Sequence, residues 1–287
     1  MPEARLPEKS AVRRAFERAA PTYDRHAVLQ REVASRLAGH LDPMRLEPRR
    51  IVDLGCGTGE SFAELGRRFP AARLVGIDLA HAMLAQASGR TPAWKRLLRA
   101  NAPRLVCADA ERLPLARASV QLVFSNLALQ WCRPEAVFAE ASRILEVGGV
   151  LIFSTFGPDT LKELRAAFAG VDEYQHVNPF VDMHDLGDAL VHAGLAEPVM
   201  EMEVLTLEYS SVEAVAHDLK AIGAGNVLPG RSRGLSGRGR WQRMVERYER
   251  ERRDGVLPAT YEVVYGHAWK VAPKHAADGR QVIGFQR

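Results

Sequence analysis

The apolar positions of this chain first follow a helical period. Val12, Phe16 and Ala19 recur at helix spacing, Pro21 interrupts the stripe, and Val28, Leu29, Val33 and Leu37 resume it. Residues 9–40 are therefore expected to be helical with a break at Ala20-Pro-Thr-Tyr-Asp-Arg-His26. A segment of that kind either covers a pocket or turns a helix corner, and the pattern alone favours the corner.

From Arg50 the pattern changes to short, uniformly apolar runs alternating with helical stretches. Strands are expected at Ile51–Leu54, Arg73–Ile77, Leu105–Ala108, Val120–Ser125 and Val150–Ser154. Helices are expected at Ser61–Phe69, His81–Ser88 and Pro134–Leu145. Strands this continuously apolar belong to a parallel sheet covered on both faces, which gives a doubly wound α/β class. Beyond it, the pattern predicts helices at Thr160–Phe168, Leu186–His192, Val212–Ile222 and Arg240–Arg253. Strands are predicted at Val199–Tyr209 and Tyr261–Val271, with a short tail strand at Val282–Phe285.

The first strand runs into Asp53-Leu-Gly-Cys-Gly-Thr-Gly-Glu60. Glycines at alternate positions let the backbone turn sharply and let a ligand lie against bare main chain, next to the N-terminus of the following helix. In an open parallel sheet the ligand crevice lies beyond the carboxyl ends of the strands. Asp53, Asp78, Asp109, Asn126, Gln130, Trp131 and Thr155 stand at those ends and should converge. Asp78 follows the first glycine by about the 20 residues expected of an acid that receives a ribose diol. A dinucleotide enzyme would have a glycine where Glu60 stands, and a phosphate-gripping loop would end in Gly-Lys-Ser/Thr. Asp109 suits an exocyclic base amine.

Length and composition narrow this further. At 287 residues the chain can bury a full core, and no apolar run approaches a membrane span. The polar N-terminus is unlike a signal peptide, so a cytoplasmic protein is expected. Cys56, Cys107 and Cys132 suggest neither disulfides nor a metal site, and are expected to be buried free thiols. The net charge of +4 conceals an asymmetry: residues 1–50 carry 11 basic against 7 acidic side chains, 51–225 carry 15 against 22, and 226–287 carry 13 against 6. Basic ends around an acidic centre suit an anionic macromolecular partner as well as they suit solvated helix faces.

Val52-Asp-Leu-Gly-Cys-Gly-Thr-Gly59, Gly76-Ile-Asp-Leu-Ala-His-Ala-Met83, Asp109-Ala-Glu-Arg-Leu-Pro114 and Val123-Phe-Ser-Asn126 together resemble the class I S-adenosylmethionine-dependent methyltransferases. Phe16-Glu-Arg-Ala-Ala-Pro-Thr-Tyr23, Ser125-Asn-Leu-Ala-Leu-Gln-Trp131, Phe153–Leu164, Asp182-Met-His-Asp185 and Asp218–Gly230 extend the likeness to the malonyl-[acyl-carrier protein] O-methyltransferases of biotin synthesis. The resemblance implies a Rossmann-like, mostly parallel seven-stranded sheet. Residues 1–49 would form a helical lid, 50–157 the cofactor-binding core, and 158–287 the second half of the sheet with substrate-binding insertions, in one compact domain.

The resemblance also implies a carboxyl O-methyltransferase that uses S-adenosyl-L-methionine and releases S-adenosyl-L-homocysteine. Tyr23, Asp53, Gly55, Gly57, Gly59, Asp78, Leu79, Met83, Asp109, Ala110 and Asn126 would hold the cofactor, and no metal is implied. An ionised carboxylate acceptor needs no general base. Gln130 and Trp131 are the expected orienting donors, since neutral N–H groups steer a carboxylate without blunting it. Phe156 and Tyr174 are expected along the acyl tunnel. Arg231, Arg233, Arg238 and Arg240 are expected to steer an acidic acyl carrier protein. The Gly/Ser interleaving of that loop lacks aromatic groups for stacking bases, so no nucleic-acid partner is expected, nor a membrane, and a monomer is expected. Other readings are a methyltransferase for another small carboxylate or hydroxyl acceptor, or a catalytically silent adenine-cofactor-binding regulatory or RNA-binding protein.

Overall fold

The computed structural model describes residues 7–90, 102–225 and 237–272. The sheet is built from β1 (Arg50–Leu54), β2 (Arg73–Asp78), β3 (Arg104–Cys107), β4 (Val120–Ser125), β5 (Leu145–Phe156), β6 (Leu195–Tyr209) and β7 (Leu257–Lys270). Among the described residues they form one seven-stranded sheet in the order β3-β2-β1-β4-β5-β7-β6. The first five strands are parallel, and β7 runs antiparallel between β5 and β6. The strand order reverses between β1 and β4, which is where such sheets place a ligand crevice.

Alternate residues of the central strands face opposite layers, as a strand's period of two requires. Ile51, Leu122, Phe124 and Ile152 join one core cluster, packed with Leu29, Val33 and Leu37 of α3 (Val28–Gly39) and Leu65 of α4 (Phe62–Arg68). Val52, Leu54, Val123, Leu151 and Phe153 join the other. There they meet Val137, Phe138, Ala141 and Ile144 of α6 (Pro134–Ile144), and Leu186 and Leu190 of α8 (Met183–His192). Phe138 is fully buried against Phe153, with ring centroids 5.3 Å apart. Truncating it to alanine would cost about 3–5 kcal/mol.

The N-terminal stripe breaks where Pro21 removes a backbone donor, giving α1 (Lys9–Ala19), a single turn α2 (Tyr23–His26) and α3. The break is more than a corner. Thr58 of the glycine loop donates to Asp24 at 2.6 Å, so α2 is held over the mouth of the crevice. On the far side, His26 and Tyr209 both contact the Asp218 carboxylate, at 3.1 and 2.8 Å. This joins α2 to α9 (Val212–Ala221).

Several expected elements are longer than the pattern indicated. β5, β6 and β7 extend beyond Val150–Ser154, Val199–Tyr209 and Tyr261–Val271, because cross-strand pairing carries the backbone past the apolar run that marks it. Helix α5 (His81–Arg90) extends past Ser88 and α8 starts at Met183, whereas α10 spans Arg238–Tyr248 and gives way to a short 3-10 turn before the expected end at Arg253. The Asp182 carboxylate caps α8 by accepting from the His184 N–H at 2.8 Å. The remaining helix, α7, spans Lys162–Phe168. Cys56 is buried as expected, but Cys107 is exposed at the end of the edge strand β3, and Cys132 is half-buried just after the turn that follows β4. The expected tail strand at Val282–Phe285 lies outside the described residues. Among the described residues no helix is long and apolar enough to cross a membrane.

Candidate active site

The turn after β1 is set by glycine geometry. Gly55 sits at φ 73°, and a Cβ there would lie 2.3 Å from the Ala128 Cβ, so the loop after β4 can close on it only if position 55 is bare. Gly57 also has positive φ, and a Cβ there would meet nothing within 4 Å, because it would point into the crevice itself. Gly59 is different: a Cβ there would strike the Phe62 ring at 2.6 Å, and the residue serves the turn without lining the crevice.

One cleft in the crevice is lined by Tyr23, Gly55, Gly57, Asp78, Leu79, Met83, Asp109, Ala110 and Asn126. Except for Gly59 and Asp53, these are the expected cofactor residues. Asp53 lines the adjoining pocket, which shares Tyr23, Gly55, Gly57 and Asn126 with the first. Asp78 is fixed by the Gly57 N–H at 2.9 Å on one oxygen and the Ala80 N–H at 2.8 Å on the other.

Asp53 is about 1% exposed, and its Oδ2 is buried without a hydrogen-bond partner. Burial, reinforced by the Asp78 charge, pushes its carboxyl up to about 8. A cationic group next to it would satisfy the orphaned oxygen and reverse that shift. Burial and the charges of Asp78, Asp24 and Glu60 likewise raise the Tyr23 phenol, keeping it a neutral donor. A bare-backbone cradle at Gly57, a diol-type acid at Asp78 and an uncompensated acid at Asp53 fit an adenosyl sulfonium ligand.

Asp109 is not a free acceptor. Lys9 of α1 reaches it at 2.8 Å and Glu111 at 2.9 Å, so the N-terminal helix latches across the Asp109 end of the cleft. Burial works to lower the Lys9 ammonium, yet the two carboxylates leave it raised and charged. Lys9 was invisible to sequence reasoning, because a lysine at the start of a helical stripe carries no spacing signal.

A second cavity of about 240 Å³ lies under the C-terminal elaboration. Its wall is largely apolar, with Phe156, Leu164, Phe168, Phe180, Val215 and Met244 among the contributors. Phe156 stands against Phe180 and Tyr261, with centroids 5.8 and 5.5 Å apart, and lines this cavity. Tyr174 does not. It is 45% exposed and lies outside the cavity, beneath the Arg240 guanidinium, because the short loop after α7 turns it outward.

The 3-10 turn Leu129–Trp131 after β4 separates the two spaces. Trp131 lines both, packed edge-on against Phe16 of α1 at 5.4 Å. Gln130 also lines the second cavity, but its amide is engaged. Its Nε2 donates to the Leu127 carbonyl at 2.7 Å, and its Oε1 accepts from Thr155 at 3.3 Å. Two further carboxamides line that cavity, Gln30 and Asn178, each with a buried side-chain oxygen that has no partner. Neither was picked out from sequence. Gln30 sits in a helical stripe beside Leu29, and Asn178 precedes Pro179 as a turn former would.

Arg238 is exposed at the start of α10, and Arg240 reaches Asp172 at 3.5 Å. Asp172 also holds His176, which stacks on Phe168 at 3.5 Å along the cavity wall. Arg231 and Arg233 lie outside the described residues.

Residues 52–153 match the family described as methyltransferase domain. The chain is 53% identical to the malonyl-[acyl-carrier protein] O-methyltransferase of Gallionella capsiferriformans (strain ES-2), over 96% of each chain. It is 55% identical to the enzyme of the same name from Laribacter hongkongensis (strain HLHK9), over 99% of this chain and 98% of that one. Among solved structures it resembles the YcgJ protein from Bacillus subtilis, with TM-score 0.58 and 12% identity over 84% of this chain and 99% of that one. It also resembles geranyl diphosphate methyltransferase in complex with SAM, with TM-score 0.50 and 20% identity over 84% of this chain and 85% of that one. At those identities the likeness is one of fold.

Proposed function

The chain belongs to the malonyl-[acyl-carrier protein] O-methyltransferase family, and from that premise we propose how its two adjoining cavities divide the work. The enzyme transfers the methyl group of S-adenosyl-L-methionine to the free carboxylate of a malonyl thioester carried on acyl carrier protein. Masking that charge makes the acyl group acceptable to chain elongation on the way to the pimeloyl precursor of biotin. The observation that carries this reading is Trp131, the one described residue that lines both the nucleotide cleft and the apolar cavity.

Once bound, S-adenosyl-L-methionine supplies an electrophilic methyl group on a sulfonium and leaves as S-adenosyl-L-homocysteine. The protein's part is to hold and align. Asp78 receives the ribose hydroxyls, and its two backbone hydrogen bonds keep its oxygens aimed. Asp53, with its unpartnered oxygen, faces the amino-acid end together with Tyr23. Asp109 takes the base amine on the oxygen that Lys9 leaves free. Leu79, Met83 and Ala110 wall the adenosyl group, and Asn126 ties the lid to the sheet.

The acceptor carboxylate, with a reference pKa of about 4, is already ionised and needs no base. His176, the one histidine among the described residues on the cavity wall, is tied to Asp172 and serves the wall instead. Trp131, with Gln130 behind it, turns the carboxylate toward the methyl group. Alignment and exclusion of water can supply roughly 7–11 kcal/mol of the barrier reduction.

Residues 1–49 act as the lid, 50–157 as the cofactor core and 158–287 as the acyl cover. Arg238 and Arg240 steer an acidic carrier protein by charge, and the basic sequence before them adds Arg231 and Arg233, which lie outside the described residues. In this reading the enzyme works as a monomer in the cytoplasm.

A bacterial strain that lacks its own malonyl-carrier methyltransferase and requires biotin provides the test. Expression of this chain is expected to restore growth without biotin, and expression of a Gly57→Val variant is not. No restoration by a soluble, expressed wild-type chain would count against the assignment.

A further inference from the structure

The cavity that receives the acyl group has walls that are apolar apart from a few groups. Among the described residues that line it, the charged side chain is Lys220, and the carboxamides are Gln30, Gln130 and Asn178. A carboxylate entering this space needs hydrogen-bond donors, because leaving it unpaired in an apolar surrounding is costly. The three amides are not equivalent. Gln130 is held at both ends by the Leu127 carbonyl and the Thr155 hydroxyl. Its remaining freedom is small. Gln30 and Asn178 each keep a buried end with no partner.

The position of Gln30 separates it from Asn178. Gln30 is the one described residue shared by the acyl cavity and the pocket that contains Asp53, Tyr23 and the glycine loop. Asn178 lines the acyl cavity alone. Gln30 is also held in place, since its carbonyl oxygen accepts from the Asn126 side chain at the end of β4. The neighbouring Arg31 is turned away, with its guanidinium donating to the Asp24 carbonyl at 2.5 Å. The side chain at the junction is therefore neutral.

We infer that Gln30 joins Trp131 in orienting the acceptor carboxylate for methyl transfer, and that Gln130 shapes the turn behind them. Rotation about the terminal torsion of a glutamine exchanges its oxygen and its NH2 group, so the end now without a partner can present N–H donors to a carboxylate oxygen. A neutral donor holds the anion without neutralising the charge that attacks. The indole N–H of Trp131, across the same junction, completes a two-point grip. In the reaction a carboxylate oxygen forms the new bond to the methyl carbon as that carbon's bond to sulfur breaks, and no proton moves. Gln30 touches the nucleophile throughout. This inference rests on the malonyl-carrier reading given above.

Steady-state kinetics of wild type, Gln30→Met, Gln30→Glu and Gln130→Met, with calorimetric S-adenosylhomocysteine binding on each, test it. Gln30→Met is expected to lower kcat/KM for malonyl-acyl carrier protein by about 10- to 100-fold, the loss expected of a charge-assisted hydrogen bond. Binding of S-adenosylhomocysteine should change less than about threefold. Gln130→Met should cost less than Gln30→Met. Gln30→Glu is the sharper probe. Its added charge repels the acceptor at pH 8, and its activity relative to wild type should rise as pH falls toward 5.5 and the new carboxyl takes a proton.

A merely structural Gln30 would give a flat ratio across that range. That result, or Gln30→Met activity within threefold of wild type, would overturn the inference. Failure of the wild-type enzyme itself to methylate malonyl-acyl carrier protein would instead remove the functional reading beneath it.

Discussion

Asn126 holds Gln30 across 96 positions of sequence: its Nδ2 donates to the Gln30 carbonyl oxygen at 3.0 Å, while its Oδ1 accepts from Ser154 at 2.8 Å. One side chain thus fixes helix α3 to the carboxyl ends of β4 and β5, at the cleft and its adjoining pocket, both of which Asn126 lines. Replacing Asn126 with alanine removes both bonds and leaves the buried Ser154 hydroxyl without the acceptor it donates to. The variant is expected to lose about 1–3 kcal/mol of stability in urea denaturation and to bind S-adenosylhomocysteine more weakly by calorimetry. Unchanged stability and affinity would show that the tie does not matter.

The pH dependence of Asp53 gives a second expectation. Its folded-state carboxyl is pushed up to about 8 by burial and by the Asp78 charge, whereas an unfolded aspartate titrates at about 4. Between these values the native state binds more protons than the unfolded one. The favourable contribution is fully present below about pH 4 and is lost as pH rises toward 8. Asp53→Asn should therefore gain stability relative to wild type on going from pH 5 to pH 8 in the ligand-free protein. The cationic cofactor should reverse the shift, so that its binding at pH 7 releases up to about one proton from the coupled Asp53–Asp78 pair. Calorimetry in two buffers of different ionisation enthalpy measures this, and Asp53→Asn should release less.

Asp78 is held by two backbone N–H groups and lines the nucleotide cleft. Asp78→Asn keeps the shape and removes the charge proposed above to receive the ribose diol. Affinities for S-adenosylmethionine and S-adenosylhomocysteine should fall together, by about 10- to 100-fold, since both carry the ribose. A loss confined to one of the two would place Asp78 at the sulfur rather than at the sugar.

The basic face is expected to act at long range. Reversing the charges of Arg238 and Arg240 to glutamate should raise KM for malonyl-acyl carrier protein several-fold at low ionic strength. The effect should shrink when salt brings the Debye length to about 3 Å near 1 M. Because Arg240 also approaches Asp172 at 3.5 Å, Arg238→Glu alone is the cleaner variant. Kinetics that do not depend on salt would argue against an electrostatic docking face.

Much of the sheet and cofactor cleft can be read from sequence because both obey local rules. Uniformly apolar strands, glycines at 55 and 57, and acids at strand ends each state their role within a few residues. The second cavity does not work that way. Gln30 and Asn178 line a space formed by segments about 150 residues apart, and neither has a distinguishing neighbour. Lys9 is another case, since its partners Asp109 and Glu111 lie about 100 residues away. Tyr174 shows the opposite error: an aromatic after an apolar segment reads as wall, yet the turn at its backbone exposes it.

Transfer of the labelled methyl group from S-adenosylmethionine to malonyl-acyl carrier protein tests the central claim most directly, with acetyl-acyl carrier protein and free malonate as parallel acceptors. The expected result is a base-labile methyl ester on the malonyl-loaded carrier, none on the acetyl-loaded one, and much slower labelling of free malonate. Label on the acetyl-loaded carrier, or equal transfer to free malonate, would contradict a carboxyl methyltransferase that acts on the carrier-bound substrate.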